Sequence, residues 1–265
     1  MQDNNILPSY INSIKELRST IIANILLAGQ IPAPTFHEKR RVKFFKDRLA
    51  EVQVDHCSVD NYGNPIGIIK GSDPEKPPIF LVAHMDTIFG REVDHNYTVK
   101  KNTIAGPGIL DNSAGVGVLL SMPEVLHKLG ITFSSDIALL GTVKSMGKGN
   151  LRGIKFFVDH ATTPIRCAVC IEGGELGRLN YFSEGMMRLE ISCDIPVFEG
   201  WQYSYKPNAI LILNEIINEI LSIRLPQKPR TRIIIGKISG GMKYGEVANN
   251  ASLGFEVRSD SEKVA

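Results

Sequence analysis

Long apolar runs, cysteines and an excess of charge of either sign are all scarce in this sequence. The longest apolar runs, such as PIFLVA at 78–83, are far shorter than the roughly 20 residues that a membrane-spanning helix needs. The N-terminus has no basic segment followed by an apolar one, so we expect no signal peptide and a cytoplasmic location. A formal net charge of +2 gives no general attraction to nucleic acid or to anionic lipid. We therefore expect neither nucleic acid nor a membrane among the partners of this chain.

Four cysteines in 265 residues are too few for a disulfide framework. Cys167 and Cys170 form a C-x-x-C motif in RCAVCIEGG, an apolar run that is typical of a buried strand. Side chains at positions i and i+3 of a strand point to opposite faces, so the two thiols would not converge on a metal ion. We predict that both cysteines are core residues.

The order of strand-like and helical segments predicts two domains. Between about 65 and 172 the two kinds of segment alternate, which predicts an α/β domain with a mainly parallel sheet and helices on both faces. After about 187 a strand, a helix and two further strands predict a small α+β unit that covers a site on the larger domain. We therefore place the domains at 1–187 and 188–265.

Two helices are predicted near the N-terminus. The first covers about 9–28, where apolar residues recur at three- and four-residue steps. Thr35 is predicted to cap the second helix, with Glu38 in the reciprocal position of a capping box. The basic residues after Glu38 are interpreted as the solvated outer face of this helix: Lys39, Arg40 and Arg41.

Polar residues come directly after three of the predicted strands, at the position where open α/β sheets bind their ligands. His84 and Asp86 lie in AHMDT, Asp111 lies in GPGILDNSAG, and Glu172 lies in CIEGGELG. One histidine, one aspartate and one glutamate can form a three-ligand zinc site with an open position, and a carboxylate behind the ring can orient the histidine. Each residue alone also has an ordinary explanation, such as a helix cap for Asp111 or a core position for His84.

As a set, these segments resemble the co-catalytic di-zinc exopeptidases and deacylases, a family that includes aminoacylase, acetylornithine deacetylase, peptidase T and glutamate carboxypeptidase. The matching segments are IPAPTFHE, HMDT, GPGILDNSAG, GTVKSMGKGNLRG, CIEGGELG, WQYSYKPNAI and SGGMKYGEVANNASLGFEVRS. The resemblance implies a zinc-peptidase-like catalytic domain over 1–187 and a lid or dimerisation domain over 188–265. It also implies zinc as the cofactor and hydrolysis of peptides or N-acyl amino acids.

The resemblance assigns a role to each candidate residue. His84 and Glu172 correspond to ligands of the first zinc, and Asp111 corresponds to the aspartate that bridges both zincs. Asp86 corresponds to the carboxylate that orients His84. The peptide bond after Asp111 is expected to be cis.

The sequence departs from the family pattern where the family has two consecutive glutamates. Ser145 occupies the position of the general base, and Met146 occupies that of a ligand to the second zinc. A serine is not basic enough to accept a proton from water near pH 7, and a thioether is a poor zinc ligand beside oxygen and nitrogen donors. We therefore expect catalysis to be lost or much reduced.

Two further departures concern the lid and the family's C-terminal segment. Glu199 lies near the position of a lid histidine that stabilises an oxyanion, and an anion there opposes the developing negative charge. The family also has a return segment after the lid that carries a last zinc-ligating histidine, and the sequence stops at Ala265 before it. We expect at most one zinc ion. Without the return segment an edge of the main sheet is left exposed. Either a dimer, a partner or a rearranged domain covers that edge, or the sequence is a fragment of a longer product.

Three functional hypotheses remain open. The first is a homologue with little or no hydrolase activity that keeps one metal site and binds a peptide or N-acyl amino acid. The second is an active metal-dependent hydrolase with relocated groups: Glu175 or Glu184 as the base, and Asp86 or His95 as an extra ligand. The third is a non-catalytic binding module that forms a homodimer through the lid. Its apolar stripe either forms that interface or packs on the lid's own sheet: Ile210, Leu213, Ile217 and Ile220.

Overall fold

A five-stranded sheet lies at the centre of the first of two units, which spans Met1–Leu176. The structure, a computed structural model, describes residues 6–162, 164–175, 177–196, 207–261 and 263–264. The strands of the first unit are β1 (His56–Val59), β2 (Pro65–Ile69), β3 (Ile79–His84), β4 (Thr98–Val99), β5 (Ile104–Ala105), β6 (Ile137–Thr142) and β7 (Cys167–Cys170). The sheet order is β1-β2-β6-β3-β7, and β4 and β5 form a separate pair.

The central sheet is mainly parallel, as the alternation of strands and helices predicts. Strand β3 runs parallel to both of its neighbours, β6 and β7. Strand β2 runs antiparallel to β1 and to β6. The carboxyl ends of β3, β6 and β7 therefore lie at one edge of the sheet, where open α/β sheets bind ligands.

Helices pack on both faces of this sheet, and their bounds are α1 (Ile6–Glu16), α2 (Arg18–Gly29), α3 (Lys39–Glu51), α4 (Ala114–Leu129) and α5 (Arg152–Asp159). Successive side chains of a strand point to opposite faces of the sheet, so alternate residues of the central strands belong to two different cores. Ala83 and Leu139 pack in the core with α2, α3 and α4, whereas Phe80 and Leu140 pack with α5. Among the described residues, no helix has the length and apolar character needed to cross a membrane.

The single helix predicted over 9–28 is two helices, α1 and α2, with Leu17 between them. The main-chain N–H of Leu17 bonds to the carbonyl of Ile14, three residues back instead of four, which tightens the turn and ends α1. Apolar residues keep their spacing across this break, so the pattern does not reveal it.

The prediction that Cys167 and Cys170 are core residues is wrong, because both are exposed. They lie on β7, which is an edge strand of the sheet, and every residue of β7 is exposed. The apolar composition of RCAVCIE therefore does not indicate burial on both faces.

The second unit, Gly177–Ala265, contains a three-stranded antiparallel sheet in the order β8-β10-β9. Its elements are β8 (Gly185–Asp194), α6 (Ala209–Ser222), β9 (Thr231–Gly240) and β10 (Asn250–Ser259). Residue 187 lies inside β8, whereas the two units divide after Leu176. The assignment of the units as catalytic and lid domains stays a prediction.

Helix α6 covers one face of the second sheet. Its Leu213 is fully buried against Leu253 of β10, and the side chain of Asn208 caps the helix by accepting from the N–H of Ile210. Three of the four residues in the predicted dimer stripe belong to this core: Leu213, Ile217 and Ile220. The fourth, Ile210, is 42% exposed. Most of the stripe is thus packing within the unit.

Candidate metal centre

Three polar side chains from the ends of two neighbouring strands and one turn converge. His84 is the last residue of β3, Glu172 comes two residues after the end of β7, and Asp111 lies in an irregular turn, Ile109–Ser113, before α4. The Nε2 atom of His84 is 2.8 Å from Oδ1 of Asp111 and 3.5 Å from Oε2 of Glu172. The ligand atoms of all three residues lie within 4.8 Å of one another.

This donor set fits a zinc ion. Zinc accepts imidazole nitrogen and carboxylate oxygen at about 2.0–2.2 Å, and tetrahedral geometry then places neighbouring ligand atoms about 3.3–3.5 Å apart. The 3.5 Å separation between His84 and Glu172 lies within this range, whereas the 2.8 Å separation between His84 and Asp111 is that of a direct hydrogen bond. The His84 side chain is 10% exposed, whereas those of Asp111 and Glu172 are 60% and 53% exposed. The histidine therefore forms the floor of a site that opens to solvent through the carboxylates.

Buried contacts hold the segments of Asp111 and Glu172 together. The Asp111–Asn112 peptide bond is cis, as the resemblance implies. The buried side chain of Asn112 donates to the carbonyl of Ile171 at 2.8 Å. A Cβ atom on Gly173 would lie 1.8 Å from the carbonyl oxygen of Leu110, so only glycine allows the two segments to approach this closely.

Asp86 is fully buried directly behind the ring of His84. Its Oδ2 accepts hydrogen bonds from the Thr35 hydroxyl at 2.8 Å and from the main-chain N–H groups of Ser145 and Met146 at 2.9 and 2.8 Å. Its Oδ1 has no hydrogen-bond partner among the described residues and lies 3.5 Å from Nδ1 of His84. That nitrogen also lies 3.0 Å from the main-chain oxygen of Asp86. Asp86 thus faces Nδ1 and leaves Nε2 directed at the carboxylates.

These contacts favour the protonated form of His84 and the ionised form of Asp86. Burial opposes protonation of His84, but the neighbouring carboxylates of Asp86 and Glu172 outweigh it and raise the pKa of His84 to about 10. Burial also opposes the charge of Asp86, yet the nearby His84 ring and the N–H of Met146 lower the pKa of its carboxyl group. The site concentrates negative charge around one imidazole, and a divalent cation competes with the proton for Nε2.

Ser145 and Met146 lie just beyond the end of β6 and contact Asp86 through their main chains. Ser145 is 7% exposed, and its hydroxyl lies 3.3 Å from that of Thr142. The side chain that follows β6 at position 145 is therefore a small, buried hydroxyl. Glu199, like Trp201, lies outside the described residues.

The residues considered as relocated groups have other contacts. The carboxylate of Glu184 pairs with Arg232 at 2.7 Å within the second unit. Nε2 of the buried His95 donates to the carbonyl of Gly90 at 3.0 Å. Glu175 is exposed. Neither His95 nor the two glutamates belong to the cluster that the described residues form around His84.

The capping box predicted for Thr35 and Glu38 is wrong. Helix α3 begins at Lys39, and the hydroxyl of Thr35 donates to Asp86, whereas a capping threonine would accept from a main-chain N–H of the helix. The carboxylate of Glu38 accepts from the main-chain N–H groups of Phe36 and Lys144. Both side chains connect this segment to distant parts of the site, and a local motif does not reveal such contacts.

The interpretation of Arg41 as part of a solvated face is also wrong, since it is 1% exposed. Its guanidinium donates to the carbonyls of Gly29, Ile31 and Met85. Burial lowers the pKa of Arg41 to about 10. Because Met85 separates His84 from Asp86, Arg41 supports the main chain of the site, a role that its place in a basic run conceals.

Comparisons with known proteins agree with this arrangement. Residues 64–144, which include His84, Asp86 and Asp111, match the model of peptidase family M28. A search of the curated proteins gave no match.

Several solved structures have the same fold. Aminopeptidase PepT from Bacillus cereus aligns with a TM-score of 0.61 at 17% identity, over 93% of this chain and 68% of that chain. The dipeptidase Dug1p from Saccharomyces cerevisiae aligns with a TM-score of 0.74 at 12% identity, over 95% and 72%. A dinuclear metal-binding peptidase of family M20 from Bacillus subtilis aligns with a TM-score of 0.53 at 12% identity, over 94% and 66%.

The matching family model is that of peptidase family M28, and the Bacillus subtilis protein belongs to family M20. Both are families of peptidases. Because the identities are low, the structural matches establish the fold, while the family model adds a sequence match over the segment that contains three of the candidate residues. The chain thus has the fold of these metallopeptidases, and its resemblance to the metal-dependent exopeptidase family is confirmed.

Proposed function

We propose that this chain binds a single zinc ion through His84, Asp111 and Glu172, and holds a peptide or an N-acyl amino acid with lost or much reduced hydrolysis. The observation that carries the proposal is the convergence of these three side chains at the carboxyl ends of β3 and β7. A zinc ion supplies a Lewis acid that polarises a carbonyl group. The substrate class is consistent with the aminopeptidase and dipeptidase among the structural neighbours.

The chain's own residues account for binding better than for turnover. Asp86, fixed by three donors, holds the ring of His84 so that Nε2 is available to the ion. The side chain of Ser145 ends in a hydroxyl that lies 3.3 Å from that of Thr142. It therefore offers no carboxylate that could accept a proton from water. The loss of a general base costs about 10²–10⁴-fold in rate. We therefore assign Asp86 as a positioning residue, and Ser145 as the residue that limits catalysis.

Zinc stoichiometry tests the metal site directly. Elemental analysis of the full chain, purified with added zinc and then desalted, should find one zinc ion per chain. His84→Ala should abolish binding, whereas His127→Ala, which removes an exposed histidine at the end of α4, should not. Zinc retained by His84→Ala would contradict the ligand assignment. Two ions per wild-type chain would contradict the single site.

Activity assays distinguish the binding protein from an enzyme with relocated groups. Wild-type protein loaded with zinc should hydrolyse dipeptides and N-acetyl amino acids no faster than His84→Ala. A turnover of about 1 s⁻¹ or more, the lower limit of ordinary enzymes, that disappears in His84→Ala would establish an active hydrolase instead. Ser145→Glu restores the carboxylate and should raise any residual rate.

We also propose a homodimer formed through the second unit. Helix α6 leaves Leu211 and Leu221 more than 60% exposed, in addition to Ile210. Light scattering on the full chain should give the mass of a dimer, and Leu211→Glu should give the mass of a monomer. A monomeric wild-type chain would rule the dimer out.

A further inference from the structure

A cavity of about 430 Å³ lies between α3 and the turns that carry Tyr62 and Lys144. Four lysines line it: Lys39, Lys43, Lys46 and Lys144. The first three share one face of α3 because they are spaced by four and three residues. The volume falls within the roughly 300–1,000 Å³ of pockets that bind small molecules.

The positive charge of this cavity is largely uncompensated. Among its described lining residues the one acid is Glu38, which is 4% exposed and accepts two main-chain N–H groups. Lys43 pairs with Asp47 one turn along α3. In the part of the chain that the structure describes, Lys39 and Lys46 have no carboxylate within ion-pair distance. The cavity therefore favours an anion.

Lys144 is held in place at the edge of the cavity. Its main-chain N–H donates to Glu38 at 2.8 Å, and its ammonium group lies 3.9 Å from the centre of the Tyr62 ring. The Tyr62 ring is stacked on Phe156, with centroids 4.9 Å apart. These contacts restrict the Lys144 side chain before any ligand binds. Binding of an anion therefore costs little further conformational entropy of this side chain.

The remaining surface of the cavity is apolar. Val42 and Val143 are buried along it, and Val59 is 42% exposed. We propose that the cavity binds an amphipathic anion: a small molecule with an apolar, aromatic body and one acidic head group. The body packs on the valines, while the head group meets the lysines. None of the three candidate metal ligands lines this cavity, so the proposal is independent of the metal site.

An aromatic sulfonate, 8-anilinonaphthalene-1-sulfonate, is a suitable probe, because its fluorescence rises in an apolar site. The pocket variant Lys39→Gln/Lys46→Gln should weaken its binding about tenfold at low ionic strength, as expected for two partly exposed charges. The matched control Arg40→Gln/Lys155→Gln removes the same charge from exposed positions outside the cavity and should bind like the wild type. Equal weakening in both variants, or no change in either, would overturn the proposal.

A second pair of variants locates the probe if the lysine substitutions perturb folding. Val59→Glu places a carboxylate in the cavity and should abolish the same binding event. Val99→Glu makes the same change at an exposed valine of β4, outside the cavity, and should have no effect. His84→Ala should retain full probe binding, which separates this site from the proposed zinc site. Binding that survives Val59→Glu would show that the probe occupies another surface.

Discussion

At the scale of single residues, Asp86 connects distant segments of the chain at the candidate site. One of its oxygens receives three hydrogen bonds from segments that lie 51 to 60 positions away, and the other faces Nδ1 of His84. This arrangement resembles the carboxylate–histidine pairs that orient metal ligands in other proteins. Substitutions can therefore separate the effect of the Asp86 charge from the effect of the hydrogen bonds that position its carboxylate.

Asp86→Asn keeps the size of the side chain and removes its charge. We expect the pKa of His84 to fall below its value of about 10, because a hydrogen-bonded anion no longer stabilises the imidazolium. Zinc affinity should fall about 10–100-fold, the usual effect of losing such a partner. NMR titration of the histidine and calorimetric zinc titration measure the two effects.

Thr35→Val provides the matched control for this substitution. It removes one of the three donors to Asp86 and leaves the carboxylate in place. The pKa of His84 should then remain well above that in Asp86→Asn. An unchanged pKa in Asp86→Asn would show that Glu172 alone raises it.

At the scale of secondary-structure elements, Asp136 joins the start of β6 to the end of β2. Its two oxygens accept from the N–H of Gly71 at 2.8 Å and from the ammonium of Lys70 at 3.0 Å. Although burial opposes its charge, these donors lower the pKa of Asp136. Below the unfolded pKa of about 3.9, the unfolded chain binds more protons at this position than the native chain does.

The stability that Asp136 contributes should therefore be present above about pH 4 and be lost as the pH falls through its lowered native pKa. Asp136→Asn should reduce the free energy of unfolding by about 1 kcal/mol at pH 6 and by less at pH 3. Urea unfolding at the two pH values measures this difference. Asp159→Asn, which changes an exposed carboxylate at the end of α5, should have little effect at either pH. A constant difference between wild type and Asp136→Asn would exclude the linkage.

Helices α2 and α4 make close contact at Gly117. A Cβ atom at this position would lie 2.6 Å from the main-chain N and Cα atoms of Ile25, and the backbone cannot move as freely as a side chain. Gly117→Ala should destabilise the protein by about 1–3 kcal/mol, although alanine is the better helix former by up to about 1 kcal/mol. Denaturant unfolding measures the change, and Val118→Ala on the same helix is the control. A stabilising effect would mean that the helices separate without cost.

The sequence predicts elements whose local pattern agrees with their environment. The apolar runs of β3 and β6 are typical of buried strands, and both strands lie at the centre of the sheet. The sequence also predicts that polar residues after β3, before α4 and after β7 share one site, and His84, Asp111 and Glu172 do lie together. Their binding of zinc stays a prediction.

Contacts between distant segments explain where local patterns fail. Strand β1 pairs with β2 at the edge of the sheet and is mostly exposed, and its mixed sequence HCSV gives no strand signal. Arg41 lies in a basic run but reaches three buried carbonyls. Thr35 and Glu38 match a capping box, yet bond to Asp86 and Lys144.

At the scale of the whole molecule, the three candidate ligands all belong to the first of the two units. A ligand stabilises only the unit that binds it, by about 2.7 kcal/mol at a free concentration of 100 times its Kd. Calorimetry should therefore show two unfolding transitions, with zinc raising the midpoint of one and leaving the other unchanged. EDTA should reverse the shift, and His84→Ala should show none. A single transition that zinc shifts as a whole would indicate that the units unfold as one.

The unequal exposure of the three ligands has a consequence for how fast the proposed ion is exchanged. Asp111 and Glu172 face solvent, while His84 is nearly covered. A competing chelator can reach the ion from the carboxylate side before the imidazole releases it. The rate of zinc transfer to a coloured chelator should then rise with chelator concentration and not reach the plateau expected when spontaneous dissociation comes first. On this basis the centre would act as a readily exchanging metal site, in contrast to the slow release typical of an ion enclosed on every side.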